Sequence, residues 1–203
     1  MRTSPAALRN REPIVTVLER VLPRTGNVLE IASGSGEHAV FFAPRLLHLE
    51  WQPSDREAEA RESIDAHRAL EPSPNLRPAL ALDVCDEAWP AVVADAIVCI
   101  NMIHISPWES TQGLFRGASR VLDRLQAPLV LYGPFRIAGE HTAPSNIEFD
   151  AWLKARDSRW GVRDLEAVIE VASEYGFAHD ETISMPANNF IVVFRKIALS
   201  NHV

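Results

Sequence analysis

Cysteine is scarce in this chain: only Cys85 and Cys99 occur in 203 residues. Two thiols build no disulfide framework, and their spacing matches no metal-binding pattern. Cys99 lies in an apolar run and reads as a small buried hydrophobe. The seven histidines are scattered, with no paired spacing and no adjacent carboxylate cluster, so no metal is expected. Cations are outnumbered, 20 Lys and Arg against 27 Asp and Glu, for a formal net charge of −7. That balance disfavours nucleic acid as the main partner, because phosphate binding wants a basic face. No apolar run approaches a membrane span, and residues 1–10 hold no apolar stretch of signal-peptide length. The expectation is a cytoplasmic protein with no membrane partner. A Gly-x-Ser-x-Gly elbow for serine chemistry is missing too, and the sequence carries no signal of oligomeric state.

What is present suits a globular chain. Hydrophobic residues make up 47% and charged residues 23%. The length suffices for a full core, and one domain over 1–203 is expected. Residues 1–9 read as a flexible tail. From Asn10 the pattern is helical, with Ile14, Val17, Leu18, Val21 and Leu22 on one stripe, Asn10 as cap and Pro13 in the first turn.

The chain is organised around Val28-Leu29-Glu30-Ile31-Ala32-Ser33-Gly34-Ser35-Gly36-Glu37-His38-Ala39. An apolar strand enters a glycine turn, and the turn enters a helix. Gly34 and Gly36 allow backbone angles closed to other residues, and the helix start offers unpaired N–H groups. Together these form a nucleotide cradle. The string also fits the looser dinucleotide fingerprint and an ordinary strand-to-helix turn.

Further strands are expected at 47–51, 76–82, 95–100 and 128–132, with helices at 37–42, 56–70 and 108–125. Asp55 follows the second strand 19 residues after Gly36, near the spacing at which an acid reaches ribose hydroxyls. Asp83 ends the third strand, where an acid can accept from an adenine amine. Residues 136–162 are polar and irregular and read as a loop-rich insertion. A helix over 163–175 precedes strands at 179–185 and 190–196. Their short Pro186-Ala187-Asn188-Asn189 joint makes them an antiparallel hairpin. The expected fold is therefore α/β: a Rossmann-like, doubly wound, seven-stranded sheet, mostly parallel, with a C-terminal antiparallel hairpin.

This order, with acids at Glu30, Asp55 and Asp83, resembles the class I S-adenosylmethionine-dependent methyltransferases. A closer resemblance lies in longer motifs: Asn10-Arg11-Glu12-Pro13-Ile14, Trp51-Gln52-Pro53-Ser54-Asp55, Asn101-Met102-Ile103-His104-Ile105-Ser106-Pro107-Trp108, Tyr132-Gly133-Pro134-Phe135, Ser145-Asn146, Phe149-Asp150, Gly161-Val162-Arg163-Asp164 and Met185-Pro186-Ala187-Asn188-Asn189. With the glycine turn, these are similar to the methyltransferase-like 26 family, a long-standing domain of unknown function. The resemblance implies S-adenosyl-L-methionine as cofactor. Glu30 would lie near its methionine end. Ser33, Gly34 and Gly36 would make contact through backbone and hydroxyl. Asp55 would hold the ribose, Asp83 and Val84 would flank the adenine, and Asn101 and Met102 would run along the methionine side. Asn10 and Arg11 would close over the cofactor carboxylate.

The expected acceptor is a small molecule, met by strand ends four and five and by the 136–162 insertion. His104 is the candidate base, because histidine works near neutral pH; it also fits a core histidine satisfied by a carbonyl. Tyr132 is the second catalytic candidate and equally a core aromatic. His141, Asn146, Arg163 and Asn188 are candidate substrate contacts. Arg163 suits a carboxylate or phosphate, or a helix-start pair with Asp164 or Glu166. Asn188 also suits a hairpin turn. Two other readings stand beside this one. An NAD(P)-dependent oxidoreductase would place a lysine four residues after its tyrosine, yet Tyr132 is followed at that distance by Arg136. A non-catalytic S-adenosylmethionine- or S-adenosylhomocysteine-binding protein would tolerate a degenerate turn, which this chain does not have.

Overall fold

The computed structural model describes residues 2–198. It opens with helix α1 (Pro5–Val21), whose N-cap Ser4 accepts from the Ala7 N–H at 3.3 Å. Pro5 takes the first turn, where a missing N–H costs nothing. The helix thus starts before the expected Asn10, and residues 5–9 are helical rather than a tail. Residues 2 and 4 are tied down as well. The Arg2 N–H donates to Ser63 Oγ at 2.7 Å, His67 Nε2 donates to the Arg2 carbonyl at 2.9 Å, and the Ser4 N–H donates to the Glu37 carboxylate. Pro13, taken for a first-turn residue, sits inside the helix. It leaves the Arg9 carbonyl without its usual intrahelical donor. Burial of Ala7, Ile14, Val15, Leu18 and Val21 holds the helix in place despite that loss.

Strands and helices then alternate: β1 (Gly26–Ile31), α2 (Glu37–Phe42), β2 (Leu49–Asp55), α3 (Ala58–Leu70), β3 (Leu80–Ala81), β4 (Ala96–Ile100), α4 (Trp108–Val121) and β5 (Pro128–Gly133). β3 is shorter than expected. Pro78 has no N–H for a ladder, and only Leu80 and Ala81 pair with Ser54 and Asp55. The region expected to be loop-rich carries regular structure: β6 (Phe135–Ile137), β7 (Glu140–His141) and α5 (Pro144–Arg156). Its helix has a weak apolar stripe, with only Asn146, Asp150 and Leu153 buried, which is why periodicity concealed it. β8 (Arg163–Asp164), α6 (Leu165–Glu174), β9 (Phe177–Met185) and β10 (Asn189–Lys196) complete the chain.

Seven strands form one sheet in the order β3-β2-β1-β4-β5-β10-β9, and β7-β6-β8 form a second, small sheet. β1 to β5 are parallel, and β10 runs antiparallel to both β5 and β9. Alternation along the strands sends side chains to two cores. Ile97, Cys99, Leu129 and Leu131 join Leu114, Phe115 and Val168 on one face. Val28, Val98, Val130 and Tyr132 join Ile14, Leu18 and Phe42 on the other. The fold is the doubly wound α/β sheet with a C-terminal hairpin that the sequence pattern predicts. Its crevice lies where β1 and β4, adjacent in the sheet, send their connections in opposite directions.

Candidate functional site

Both strand ends at this crevice leave the sheet through backbone angles that L-residues rarely adopt. Ala32 follows β1 at φ 55°, and Asn101 follows β4 at φ 62°. Such positions cost about 1–3 kcal/mol each and cluster at functional sites. The turn after β1 continues through Gly34 (φ 58°) and Gly36 (φ 93°). The two glycines serve different ends. A Cβ on Gly36 would stand 2.7 Å from the Ile64 Cα, so glycine there lets α3 close on the turn. A Cβ on Gly34 would meet nothing nearer than the Ala32 carbonyl at 4.0 Å, so the backbone at Gly34 is open to an incoming group.

The turn is braced from β2. The Ser33 N–H donates to the Ser54 carbonyl at 2.9 Å, the Ser54 N–H donates to Ser33 Oγ at 3.2 Å, and Ser54 Oγ donates to the Glu30 carbonyl at 2.8 Å. Asp55 is buried at the end of β2. Its Oδ2 accepts from the Gly34 N–H at 3.0 Å and its Oδ1 from the Glu57 N–H at 2.9 Å. Each oxygen keeps a lone pair for a further donor. Asp83 follows β3, with Oδ1 accepting from the Cys85 N–H at 2.9 Å and Oδ2 3.9 Å from Arg56 Nη1. Val84 beside it is buried, and its carbonyl lies so close to α4 that a Cβ on Gly113 would clash with it.

Glu30 is not a surface group of the crevice. It is 1% exposed, and its Oε2 accepts from Trp51 Nε1 at 2.8 Å. Burial pushes its carboxyl up to about 7, opposed by the Trp51 and Ser33 hydrogen bonds and aided by the charge of Asp55. Asn10 and Arg11, expected to close over the cofactor carboxylate, both engage α2. Asn10 bonds His38 Nε2 at 2.8 Å and engages the Tyr132 hydroxyl. Arg11 lies over the Phe41 ring, 4.3 Å from its centre. Burial, assisted by Arg11, lowers the His38 imidazole to about 4, so this ring is neutral. Burial also raises the Tyr132 hydroxyl, against the opposing Asn10 bond. Sequence reading missed both His38 and Trp51, since the partner of each lies on another element.

His104 is fully buried, 0% exposed, and edge-on to Phe135. Its Nδ1 accepts from the Arg163 N–H at 3.3 Å, and that bond assigns the ring proton to Nε2. Burial, then the Arg163 charge, push the imidazole down to about 3. A neutral ring whose free nitrogen is a donor does not act as a base near neutral pH, which corrects the base role expected of it. The Arg163 guanidinium is likewise engaged. It donates to the carbonyls of Ile103 (2.9 Å), Ser106 (2.6 Å) and Arg159 (2.8 Å), clamping the segment that carries His104, and pairs with neither Asp164 nor Glu166. Met102 is held in the same segment, its carbonyl accepting from Ser106 Oγ at 2.8 Å.

Asn146 and Asn188 come together as a latch. Asn146 Nδ2 donates to the Asn188 carbonyl at 3.0 Å and Asn188 Nδ2 to Ser145 Oγ at 3.1 Å, tying α5 to the β9–β10 turn. His141 Nε2 stands 3.6 Å from Asp150 Oδ2. Beside the latch, a cavity of about 280 Å³ opens between α1 (Arg9, Asn10, Pro13), Tyr132 and the turn residues Pro186, Ala187 and Asn189. The Tyr132 carbonyl accepts from the Asn101 N–H at 2.8 Å and so joins this cavity to the end of β4.

Gly133 gives a direct check on this packing. A Cβ there would lie 2.5 Å from His104 Nε2 and 3.2 Å from Asn101 Oδ1. Gly133→Ala is therefore expected to cost about 1–3 kcal/mol and lower the thermal midpoint by several degrees. An unchanged midpoint would mean that His104 does not fill this space.

The architecture matches solved methyltransferases at low sequence identity. An O-methyltransferase family protein from Burkholderia thailandensis superposes with a TM-score of 0.79 at 14% identity, over 96% of this chain and 58% of that one. The S-adenosylmethionine-dependent methyltransferase SibL, in its apo form, gives 0.77 at 17%, over 95% and 56%. CalO1, a methyltransferase in calicheamicin biosynthesis solved with SAH bound, gives 0.73 at 18%, over 95% and 54%. This chain thus spans somewhat over half the length of each, and the likeness is one of fold. Among the described residues, no helix is long and apolar enough to cross a membrane. Over residues 1–196 the sequence matches one family model, and on that match the chain belongs to the family described as protein of unknown function, DUF938.

Proposed function

We propose that this chain, acting as one unit over its length, transfers a methyl group from S-adenosyl-L-methionine to a small-molecule acceptor in the cytoplasm. The proposal includes the kinship to the methyltransferase-like 26 family drawn from its motifs. One observation carries it: the open Gly34 backbone bound to the Asp55 carboxylate at the crevice between β1 and β4. An adenosyl cofactor fits the donor set there. The remaining lone pairs of Asp55 suit ribose hydroxyls, the Ser35 N–H, left over when those of Ser33, Gly34 and Gly36 are bonded within the fold, suits a carboxylate, and Asp83 and Val84 suit the adenine.

S-adenosylmethionine supplies an electrophilic methyl group on a sulfonium centre. The work left to the chain is alignment and exclusion of water. Asn101 and Met102, held at the left-handed turn after β4, would lie along the methionine side of the cofactor. The acceptor sits in the cavity at Tyr132, whose neutral hydroxyl, held by Asn10, orients it. His104 presents a donor rather than a base and positions the strand ends. Its alanine variant therefore changes turnover through geometry and leaves no histidine ionisation missing from the pH profile.

The test is a calorimetric titration with S-adenosylhomocysteine beside one with NAD. Micromolar binding of the first, about −8 kcal/mol, with no binding of the second is expected. Binding of NAD alone would move the chain to the oxidoreductase class. Tight S-adenosylhomocysteine binding without turnover of labelled cofactor over a broad acceptor panel would favour a binding protein.

A further inference from the structure

Five buried side-chain polar atoms lack a hydrogen-bond partner among the described residues, and two of them stand side by side: Arg136 Nε and His141 Nδ1. Arg136 on β6 is in register with His141 on β7 and with Asp164 on β8. Directly paired residues share a face, so all three side chains line one side of the small sheet.

Arg136 also borders a cavity of about 260 Å³, enclosed further by Trp108, Lys154, Trp160 and Arg163. Four basic residues line it, Arg159 being the fourth, against a single acid, Asp164. That excess stands out in a chain of net charge −7. Two of the four cations are answered within the fold. Lys154 meets Asp150 at 2.6 Å and Arg159 meets Asp157 at 2.7 Å. The Arg163 guanidinium gives its hydrogen bonds to carbonyls, which satisfy its donors and leave its charge. Arg136 acts on Asp164 through charge, but one oxygen of that carboxylate already accepts from the Gly139 N–H at 2.9 Å. Arg136 is half-buried: its Nε is closed off without a partner, and its guanidinium makes no hydrogen bond among the described residues, so its outer donors stay open to an anion. The Trp108 and Trp160 rings offer apolar area beside that charge.

We propose that this cavity binds a small molecule bearing an oxyanion, a carboxylate or a phosphate on a flat apolar body, with Arg136 making the direct contact. The site lies among α5, β6 and β8, apart from the glycine turn, and does not depend on the methyl-transfer reading. It touches that reading at one point: Arg163, which lines the cavity, also clamps the His104 segment.

Calorimetric titration of the full chain with benzoate and, separately, with inorganic phosphate tests the proposal. Benzoate is expected to bind saturably and phosphate more weakly, because phosphate makes no use of the tryptophans. Arg136→Gln is expected to weaken both by at least about tenfold, the loss of a charge-assisted pair. Arg136→Lys, which keeps the charge and loses the fork, falls between. Removing a half-buried cation that makes no hydrogen bond among the described residues leaves the thermal midpoint unchanged or raised, and S-adenosylhomocysteine affinity is unaffected, so a folding defect or a failed cofactor reading is told apart from a lost anion site. Phosphate binding alone, abolished in Arg136→Gln, assigns a phosphate-bearing ligand. No binding of either probe up to about 50 mM, or equal affinity in Arg136→Gln, overturns the site.

Discussion

Asp55→Ala is expected to weaken S-adenosylhomocysteine binding by one to two orders of magnitude. Two losses combine. The ribose hydroxyls lose a charged acceptor, worth roughly 1.5–3 kcal/mol. The Gly34 N–H and the Glu57 N–H lose the carboxylate that holds the turn to the start of α3. Asp55→Asn separates the two. The amide oxygen still accepts one hydrogen bond, so part of the bracing survives, while the charge on the ribose side is gone. Calorimetry on both variants, with thermal unfolding alongside, reads the effect. If Asp55→Ala bound S-adenosylhomocysteine as tightly as the parent, Asp55 would be a brace for the turn and no part of the cofactor site.

Glu30 carries the second large effect, on stability against pH. Its carboxyl titrates at about 7 in the fold, raised from an ordinary 4.5 by burial. A group whose folded value is raised keeps its proton in the fold while the unfolded chain gives it up. Its contribution to stability is therefore intact below about pH 4.5, declines as pH rises, and is lost above pH 7. The difference corresponds to about 3 kcal/mol. Glu30→Gln stays neutral at every pH and keeps an oxygen for the Trp51 N–H. Its stability relative to the parent should therefore grow by about that amount between pH 4.5 and pH 8. Urea unfolding at the two pH values measures it. Parallel stability curves for parent and variant would show that Glu30 is ionised in the fold at pH 8 at little cost, its charge met by its surroundings.

Much of this architecture was legible in the chain, element by element. The run from Val28 to Ile31, the glycines at 34 and 36, and the acids after each strand are local signals. Side-chain alternation and turn chemistry act over a few residues, so these could be read without neighbours. The start of α1 was legible too, in Ser4-Pro5, but Pro13 drew the boundary inward. α5 was hidden because its apolar residues follow no single face, Ile147 and Trp152 lying exposed while the buried Asn146 and Asp150 bond across to other elements.

The roles of single side chains divide along the same line. The sequence by itself determined the order of the main-sheet strands and the helices between them, and hence a crevice past the ends of β1 and β4, because backbone periodicity and strand-end position are set within each segment. Only the tertiary structure decided that Glu30 holds its proton near neutrality, that His104 is a donor, that Arg163 is a clamp and that Arg136 is left unmet. Trp51 reaches Glu30 from 21 residues away, and Arg163 reaches His104 from 59. Protonation and hydrogen-bond satisfaction depend on burial and on such distant partners, and these exist only once the sheets have packed.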